Sequence, residues 1–236
     1  MARVATIQRA LPREHGVPGT EDVMQRPFFT AFHKEPVDGP VWVSKTGLEG
    51  DGVGDPVHHG GPEKAVLAYS ADHYPGWRAE TYVQLPHGAF GENFTVAGAD
   101  EETVCIGDVY DVGEARVQVS QPRQPCWKIA RRWGIRDLSL RVHRSGRTGW
   151  YLRVLREGTV APGDVLRMVD CPHPQWTIAR INRALAARPR DFDTLAKLAQ
   201  VPVLPPKLAR DLARFAAARP AEDDPDAGLV VTHEAE

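Results

Sequence analysis

Cys126 closes the run Ser120-Gln121-Pro122-Arg123-Gln124-Pro125-Cys126 and is followed at once by Trp127 and Lys128. A strand-like alternation stops at the two prolines, and a helix-like stretch begins at Trp127. A thiol in the first turn of a helix, with Arg123 and Lys128 beside it, is expected to have a lowered pKa and thiolate character. Thiolate is the form that ligates a soft metal or attacks an electrophile. Between Arg123 and Arg147 there are eight Lys/Arg (Arg123, Lys128, Arg131, Arg132, Arg136, Arg141, Arg144, Arg147) against Asp137 alone. That excess suits a small anionic ligand, although a solvated basic helix face has the same pattern.

Three further clusters have residue types that could join such a site. Gly47-Leu48-Glu49-Gly50-Asp51 precedes His58-His59-Gly60-Gly61-Pro62-Glu63-Lys64, where paired glycines allow close backbone approach and N–H groups aimed at an anion. Lys64 would complete that loop, and ordinary turn chemistry is the competing reading. Adjacent histidines in an extended chain point apart, so His58 and His59 make a poor zinc pair. In Gly91-Glu92-Asn93-Phe94-Thr95 a glycine hinge releases polar side chains at a strand start, able to hydrogen-bond a heterocycle edge or to satisfy a tight turn. Arg147, in the basic glycine turn His143-Arg144-Ser145-Gly146-Arg147-Thr148-Gly149, could clamp a phosphate in bidentate fashion or lie on the surface. His59 and Glu92 are the first candidates for a proton donor.

The composition removes whole classes of function. A net charge of −2 argues against wholesale binding to nucleic acid or an anionic membrane, and no apolar run approaches spanning length. Three cysteines without a CxxC do not make a disulfide framework, and no apolar signal core opens the chain. A reducing cytoplasm is therefore the expected location, with Cys126 available. Cys105 reads as a small buried hydrophobe in a strand, and Cys171 ends a strand pattern before a proline-rich joint. No GxSxG elbow, phosphate loop or dinucleotide fingerprint is present. A Cys-His transferase using Cys126 with His59 or His143 stays open, beside a soft metal cofactor with a phosphorylated organic part.

The elements that must position these groups are mainly β. Short apolar runs at 4–10, 41–45, 65–69, 94–97, 104–112, 116–120, 150–155 and 165–169 predict strands, several with period two, in a closed or sandwich-like architecture. Helical inserts are expected near 71–80 and 127–133. After residue 172, Ile178, Ile181 and Leu185, then Leu195 and Leu198, then Leu208, Leu212 and Phe215 mark three amphipathic helices, the second N-capped by Asp193. Residues 1–172 thus form a barrel domain and 173–219 a three-helix domain that packs on the barrel or on a second subunit, as in a homodimer. Residues 220–236, acidic and poor in apolar side chains, are expected to be disordered.

At these clusters the chain resembles the MOSC-domain family, specifically its YiiM-like branch. The matching stretches are Gly47 to Asp51, His58 to Lys64, Ala71-Asp72-His73-Tyr74, Gly91 to Thr95, Ser120 to Cys126 and Arg147-Thr148-Gly149-Trp150-Tyr151, in that order. The resemblance covers about residues 4–169, and the helices at 176–215 look like that branch's extension. It implies a MOSC-type β-barrel carrying molybdenum cofactor (molybdopterin), with Cys126 as the metal ligand. His58, His59, Gly60, Gly61, Lys64, Glu92, Asn93, Thr95, Arg123, Gln124 and Arg147 would then line the cofactor and substrate mouth. The implied reaction is reduction of N-hydroxylated bases or amines, such as 6-N-hydroxylaminopurine, from N–OH to N–H with release of water. Electrons would come from a separate flavoprotein. A non-catalytic carrier of the cofactor or of sulfur is the alternative.

Overall fold

Apolar alternation and glycine-proline punctuation build the strands that carry the site. The computed structural model describes residues 1–218, so the expected acidic tail at 220–236 lies outside the described residues. The first strands are β1 (Arg3–Arg9), β2 (Arg13–His15), β3 (Phe28–Thr30), β4 (Glu35–Val37), β5 (Val41–Ser44) and β6 (Gly47–Leu48). They continue as β7 (Val66–Ser70), β8 (Phe94–Ala97), β9 (Val109–Val112), β10 (Ala115–Pro122), β11 (Trp150–Arg156), β12 (Gly158–Val160) and β13 (Arg167–Asp170). The α-helices are α1 (Pro56–His59), α2 (Tyr74–Thr81), α3 (Lys128–Trp133), α4 (Leu138–Ser145), α5 (Ile178–Ala186), α6 (Phe192–Ala199) and α7 (Pro206–Ala217).

Eight strands form one sheet in the order β13-β9-β10-β11-β7-β8-β1-β4. Every pairing in it is antiparallel except β7 with β8. The sheet curls until Arg3 on β1 bridges Val165, just ahead of β13, giving a mostly-sheet half-barrel. Register breaks in β10 opposite β11, at Arg116/Val117 and Val119/Gln121, bend the strand that delivers the thiol segment. The inward residues Val117, Val119, Leu152, Val66, Ala68, Phe94, Val4 and Ile7 fill one core. Trp176, Ile178, Ile181, Leu195, Leu198 and Leu212 extend the same cluster, so the C-terminal three-helix region packs its apolar faces on the half-barrel.

A second cluster lies under the helical inserts. Tyr69, Tyr74, Trp77, Leu85, Phe90, Ile129, Leu138 and Val142 are all essentially buried and clamp α2, α3 and α4 against the sheet. Ile129 fixes the helix that follows Cys126, and truncating such a buried aliphatic side chain typically loses about 2–5 kcal/mol.

Three local expectations change. The run at 104–112 is a strand only from Val109, because Asp108 Oδ2 accepts the Cys105 N–H (2.8 Å) and turns the chain ahead of it. His143 and Arg144 end helix α4, which Gly146 caps in the left-handed region, instead of opening a basic turn. The N-cap of α6 is Asp191, whose carboxylate accepts the Thr194 N–H at 2.9 Å; Asp193 lies inside the first turn.

Candidate functional site

The polar residues singled out in the sequence divide into those that share a cleft and those that hold its walls. A cleft of about 760 Å³, measured out to its open mouth, is lined by Lys34, Asp51, Asp55, His59, Lys64, Asn93, Arg123, Cys126, Lys128 and Tyr151. Phe32, Leu48, Ala65 and Leu67 supply its apolar wall.

Cys126 is half-buried and opens on this cleft. Trp127 is the N-cap of α3, so the thiol sits one residue ahead of the cap and not within the first turn. The segment is held by its backbone: the Cys126 carbonyl accepts from Ser139 Oγ (2.7 Å) and from the Ile129 N–H (3.3 Å). Arg132, from the next turn, donates to the carbonyls of Gly88 (2.6 Å) and Phe32 (2.9 Å), tying α3 to the opposite rim.

The charge of the cleft follows from which ions already have partners. Asp51 receives Lys34 Nζ (2.5 and 2.7 Å), Asn93 Nδ2 (2.8 Å) and the Ala10 N–H (2.8 Å). Asp55 is taken up by the His58 ring at 3.0 Å and the His58 N–H at 3.1 Å. Arg123, by contrast, is 3% exposed and donates only to the carbonyls of Phe90 (2.9 Å) and Thr148 (3.4 Å). Lys64 donates to the His58 carbonyl, and Lys128, also buried, lies over the Trp127 ring at 5.7 Å. Among the described residues, none of these three cations has a carboxylate within ion-pair distance. Burying cations without counter-ions is unfavourable, and an anion in the cleft would offset that cost.

His59 senses the same field. Burial, then Lys128, Lys64 and Arg123, hold its imidazole down to about 4, so it is neutral at neutral pH. His59 and Cys126 line the same cleft with no hydrogen bond between them among the described residues, and His143 lines a different cleft with Arg147 and Glu101. Tyr151 is pushed up to about 12 by burial, with Arg123 opposing and Cys126 adding to the rise, so its phenol stays protonated.

Several residues expected at the mouth lie outside the cleft or are engaged within its wall. Glu92 is fully buried behind the wall: it accepts from the Gly88 N–H (2.7 Å), Thr95 Oγ1 (2.9 Å), the Phe90 N–H (3.1 Å) and Tyr74 Oη. Three of these donors meet Oε1 and one meets Oε2, and Thr95, equally buried, is among them. Asn93 lines the cleft but its amide is committed to Asp51, Gln8 and the Leu67 N–H. Arg147 pairs with Glu80 at 2.8 Å and stacks on Trp77, 3.6 Å from the ring centroid, outside this cleft. His58, Gly60, Gly61 and Gln124 are not among the lining residues, and the histidine pair lies on the short helix α1, not on extended chain. The Gly60 N–H is used within the turn, on the Pro56 carbonyl. Lys34, Asp55, Lys128 and Tyr151 are polar lining residues that the sequence did not assign to the site. Tyr151 is the last residue of a matched motif and Lys128 follows another, whereas Lys34 stands in a stretch with no periodic signal.

Gly91 shows how closely the wall is packed. Its φ is +80°, and a Cβ there would meet the Phe32 ring at 2.5 Å. Gly91→Ala is expected to lose about 1–3 kcal/mol, read as a lower midpoint in urea, with the Glu92 loop the first segment to exchange its amides.

Residues 55–167 match the MOSC domain family, and residues 176–214 match the YiiM-like, 3-alpha helix domain. The uncharacterized protein YflK of Bacillus subtilis (strain 168) is 48% identical over 155 residues, 66% of this chain and 70% of its own length. The chain belongs to the MOSC-domain family, in its YiiM-like branch. The crystal structure of YiiM from Geobacillus stearothermophilus superposes with a TM-score of 0.76 at 32% identity, covering 92% of this chain and all of that one. A Gibberella moniliformis (strain M3125 / FGSC 7600) protein named "Reductase" is 39% identical over 178 residues, 74% of this chain but only 32% of its own length. Among the described residues, no helix is long and apolar enough to cross a membrane.

In this MOSC-domain chain the depressed His59 has a measurable consequence. Its folded form titrates near 4 and its unfolded form near 6.5, so the unfolded chain binds more protons between those values. Stability therefore falls as pH drops through that window. His33 is also held at about 4, by burial first, and adds to the same loss. Expected: His59→Gln makes the loss of stability between about pH 6.5 and 4 shallower, and Lys128→Met raises the His59 midpoint in an NMR titration.

Proposed function

We propose that the protein is a molybdenum cofactor-dependent reductase of N-hydroxylated bases or amines, converting N–OH to N–H and releasing water. The observation that carries this reading is the half-buried Cys126 thiol opening on a cleft where, among the described residues, Lys64, Arg123 and Lys128 have no carboxylate within ion-pair distance. A sulfur donor beside uncompensated cations fits a soft metal bound to a phosphorylated ligand. Family membership and the relative named "Reductase" support the same direction.

When bound, the cofactor would supply the two-electron oxygen-abstracting chemistry that no side chain of this protein can perform. Cys126 would hold the metal, and Arg123, Lys128 and Lys64 would neutralise the anionic part of the cofactor. The apolar wall of Phe32, Leu48 and Leu67 would receive a flat purine-like ring and exclude water from its face. The reduction consumes two protons; with Glu92 sealed in the wall and His59 neutral, the one for the departing hydroxyl is assigned to Tyr151 Oη, which keeps its hydrogen at neutral pH, and the one for the nitrogen to solvent. No flavin or haem motif is present in the sequence, so electrons are assigned to a separate flavoprotein.

The test is turnover of 6-N-hydroxylaminopurine with a chemical electron donor, using protein made in a host that synthesises the cofactor. Tyr151→Phe is expected to lower kcat by about 100-fold while retaining molybdenum. A Tyr151→Phe enzyme of unchanged kcat would remove the proton assignment. Stoichiometric cofactor with no turnover of any N-hydroxylated compound would favour the carrier module instead.

A further inference from the structure

Away from the Cys126 cleft, the described residues contain a single group of three potential metal-ligating side chains whose donor atoms converge: Cys105, Asp108 and Cys171, all within 4.8 Å of one another. We infer that these three residues bind a thiophilic divalent cation of the zinc class, at the joint between the half-barrel and the three-helix region.

The convergence has a structural origin. Cys105 and Asp108 face each other across the turn that leads into β9, and Cys171 follows the last residue of β13, the strand paired with β9. Asp108 is completely buried, and its two oxygens are used unequally. Oδ2 accepts the Cys105 N–H at 2.8 Å and Tyr110 Oη at 3.0 Å, whereas Oδ1 has no hydrogen-bond partner among the described residues. An orphaned carboxylate oxygen in a sealed position calls for a cation. Neither neighbouring cysteine is in a disulfide; the Cys105 thiol reaches the Pro174 carbonyl at 3.5 Å and contacts the Cys171 thiol, which in turn lies against the Asp108 carboxylate.

The donor set is the right chemistry. Two thiolates and one carboxylate are soft and anionic enough for zinc, and Cys171, being exposed, gives the ion a way in and water a fourth position. Thiolates on a tetrahedral zinc lie about 3.8 Å apart, so small side-chain rotations close the present spacing. Binding would release the thiol protons to solvent and pin the segment after β13 to the turn before β9. The ion would then fix where helix α5 begins, with no part in the chemistry at Cys126.

The probe is Co2+ alone, added to full-length protein under non-chelating reductant, and displaced afterwards with Zn2+. Expected is a thiolate-to-cobalt charge-transfer band that saturates at equimolar metal, with a rise in Tm on adding Zn2+. Cys171→Ser, at an exposed position, should abolish the band. Asp108→Asn, whose amide oxygen can still accept from the Cys105 N–H and Tyr110, should weaken binding by about tenfold or more. Cys126→Ser should leave the band intact, which separates this site from the cofactor cleft. The proposal is overturned if fully reduced protein gives no charge-transfer band, or if Cys171→Ser gives the band undiminished. It is equally overturned if protein isolated from reducing cells carries a Cys105–Cys171 disulfide.

Discussion

Cys126→Ala is expected to fold like the parent and to lose the proposed reductase turnover by about 100-fold or more. The side chain is half-buried and faces the cleft, while the segment's position is fixed by the Cys126 carbonyl, Ile129 and Arg132, none of which the substitution touches. Stability should therefore stay within about 1 kcal/mol of the parent, measured by urea unfolding alongside the assay. Cys126→Ser tests softness separately from shape, since the hydroxyl keeps the size but is a harder, less readily ionised donor. Serine is expected to recover little of the activity. A Cys126→Ala enzyme that turns over normally would remove the metal-ligand role, whatever the cleft binds.

Glu92→Ala is expected to fail in the opposite way, by unfolding. The carboxylate is the acceptor for two backbone N–H groups, a tyrosine hydroxyl and a threonine hydroxyl, all buried. Each buried donor left without an acceptor costs about 1–3 kcal/mol, so a loss of about 4 kcal/mol is expected. In a chain of this size that lowers Tm by about 10 °C. Glu92→Gln keeps one acceptor oxygen but places an amide NH2 among donors, so it should fall between parent and alanine. A catalytic-acid role makes a different demand: Glu92→Gln would melt normally and be inactive. Thermal melts and turnover on the same two variants decide between them.

The contrast between these residues shows what the chain discloses before it folds. Cys126 was legible because a Pro-x-x-Pro run and a following amphipathic stretch fix where a strand must end, and side chains at such junctions are presented to solvent. Arg123 and Lys64 were legible for the same reason, each adjoining a glycine or proline turn. Glu92 carries a similar local signature, a carboxylate beside a glycine hinge, yet its donors Gly88 and Phe90 lie within four residues and close a private loop. Sequence alone does not say whether a turn's carboxylate looks outward or caps its own backbone.

Arg147 was misplaced because its partners, Glu80 and Trp77, are brought to it only by the packing of α2 against α4. Of the eight basic residues from Arg123 to Arg147, only Arg123 and Lys128 line the cleft; Arg132, Arg141 and Arg147 are used as clamps between elements. Net charge along the chain therefore overstated the charge in the site. Lys34 and Asp51 could not be paired in advance, since their contact depends on how the short strands before β5 fold over the sheet. The half-barrel and the three C-terminal helices, by contrast, follow from period-two and helical patterns that tertiary packing did not override.

The most direct test of the account is elemental and pterin analysis of the full-length protein, purified from a cofactor-competent host, beside its Cys126→Ala variant. Near-equimolar molybdenum and pterin are expected in the parent, with the metal largely lost from the variant. Parent protein free of both, or a variant holding as much molybdenum as the parent, would contradict it.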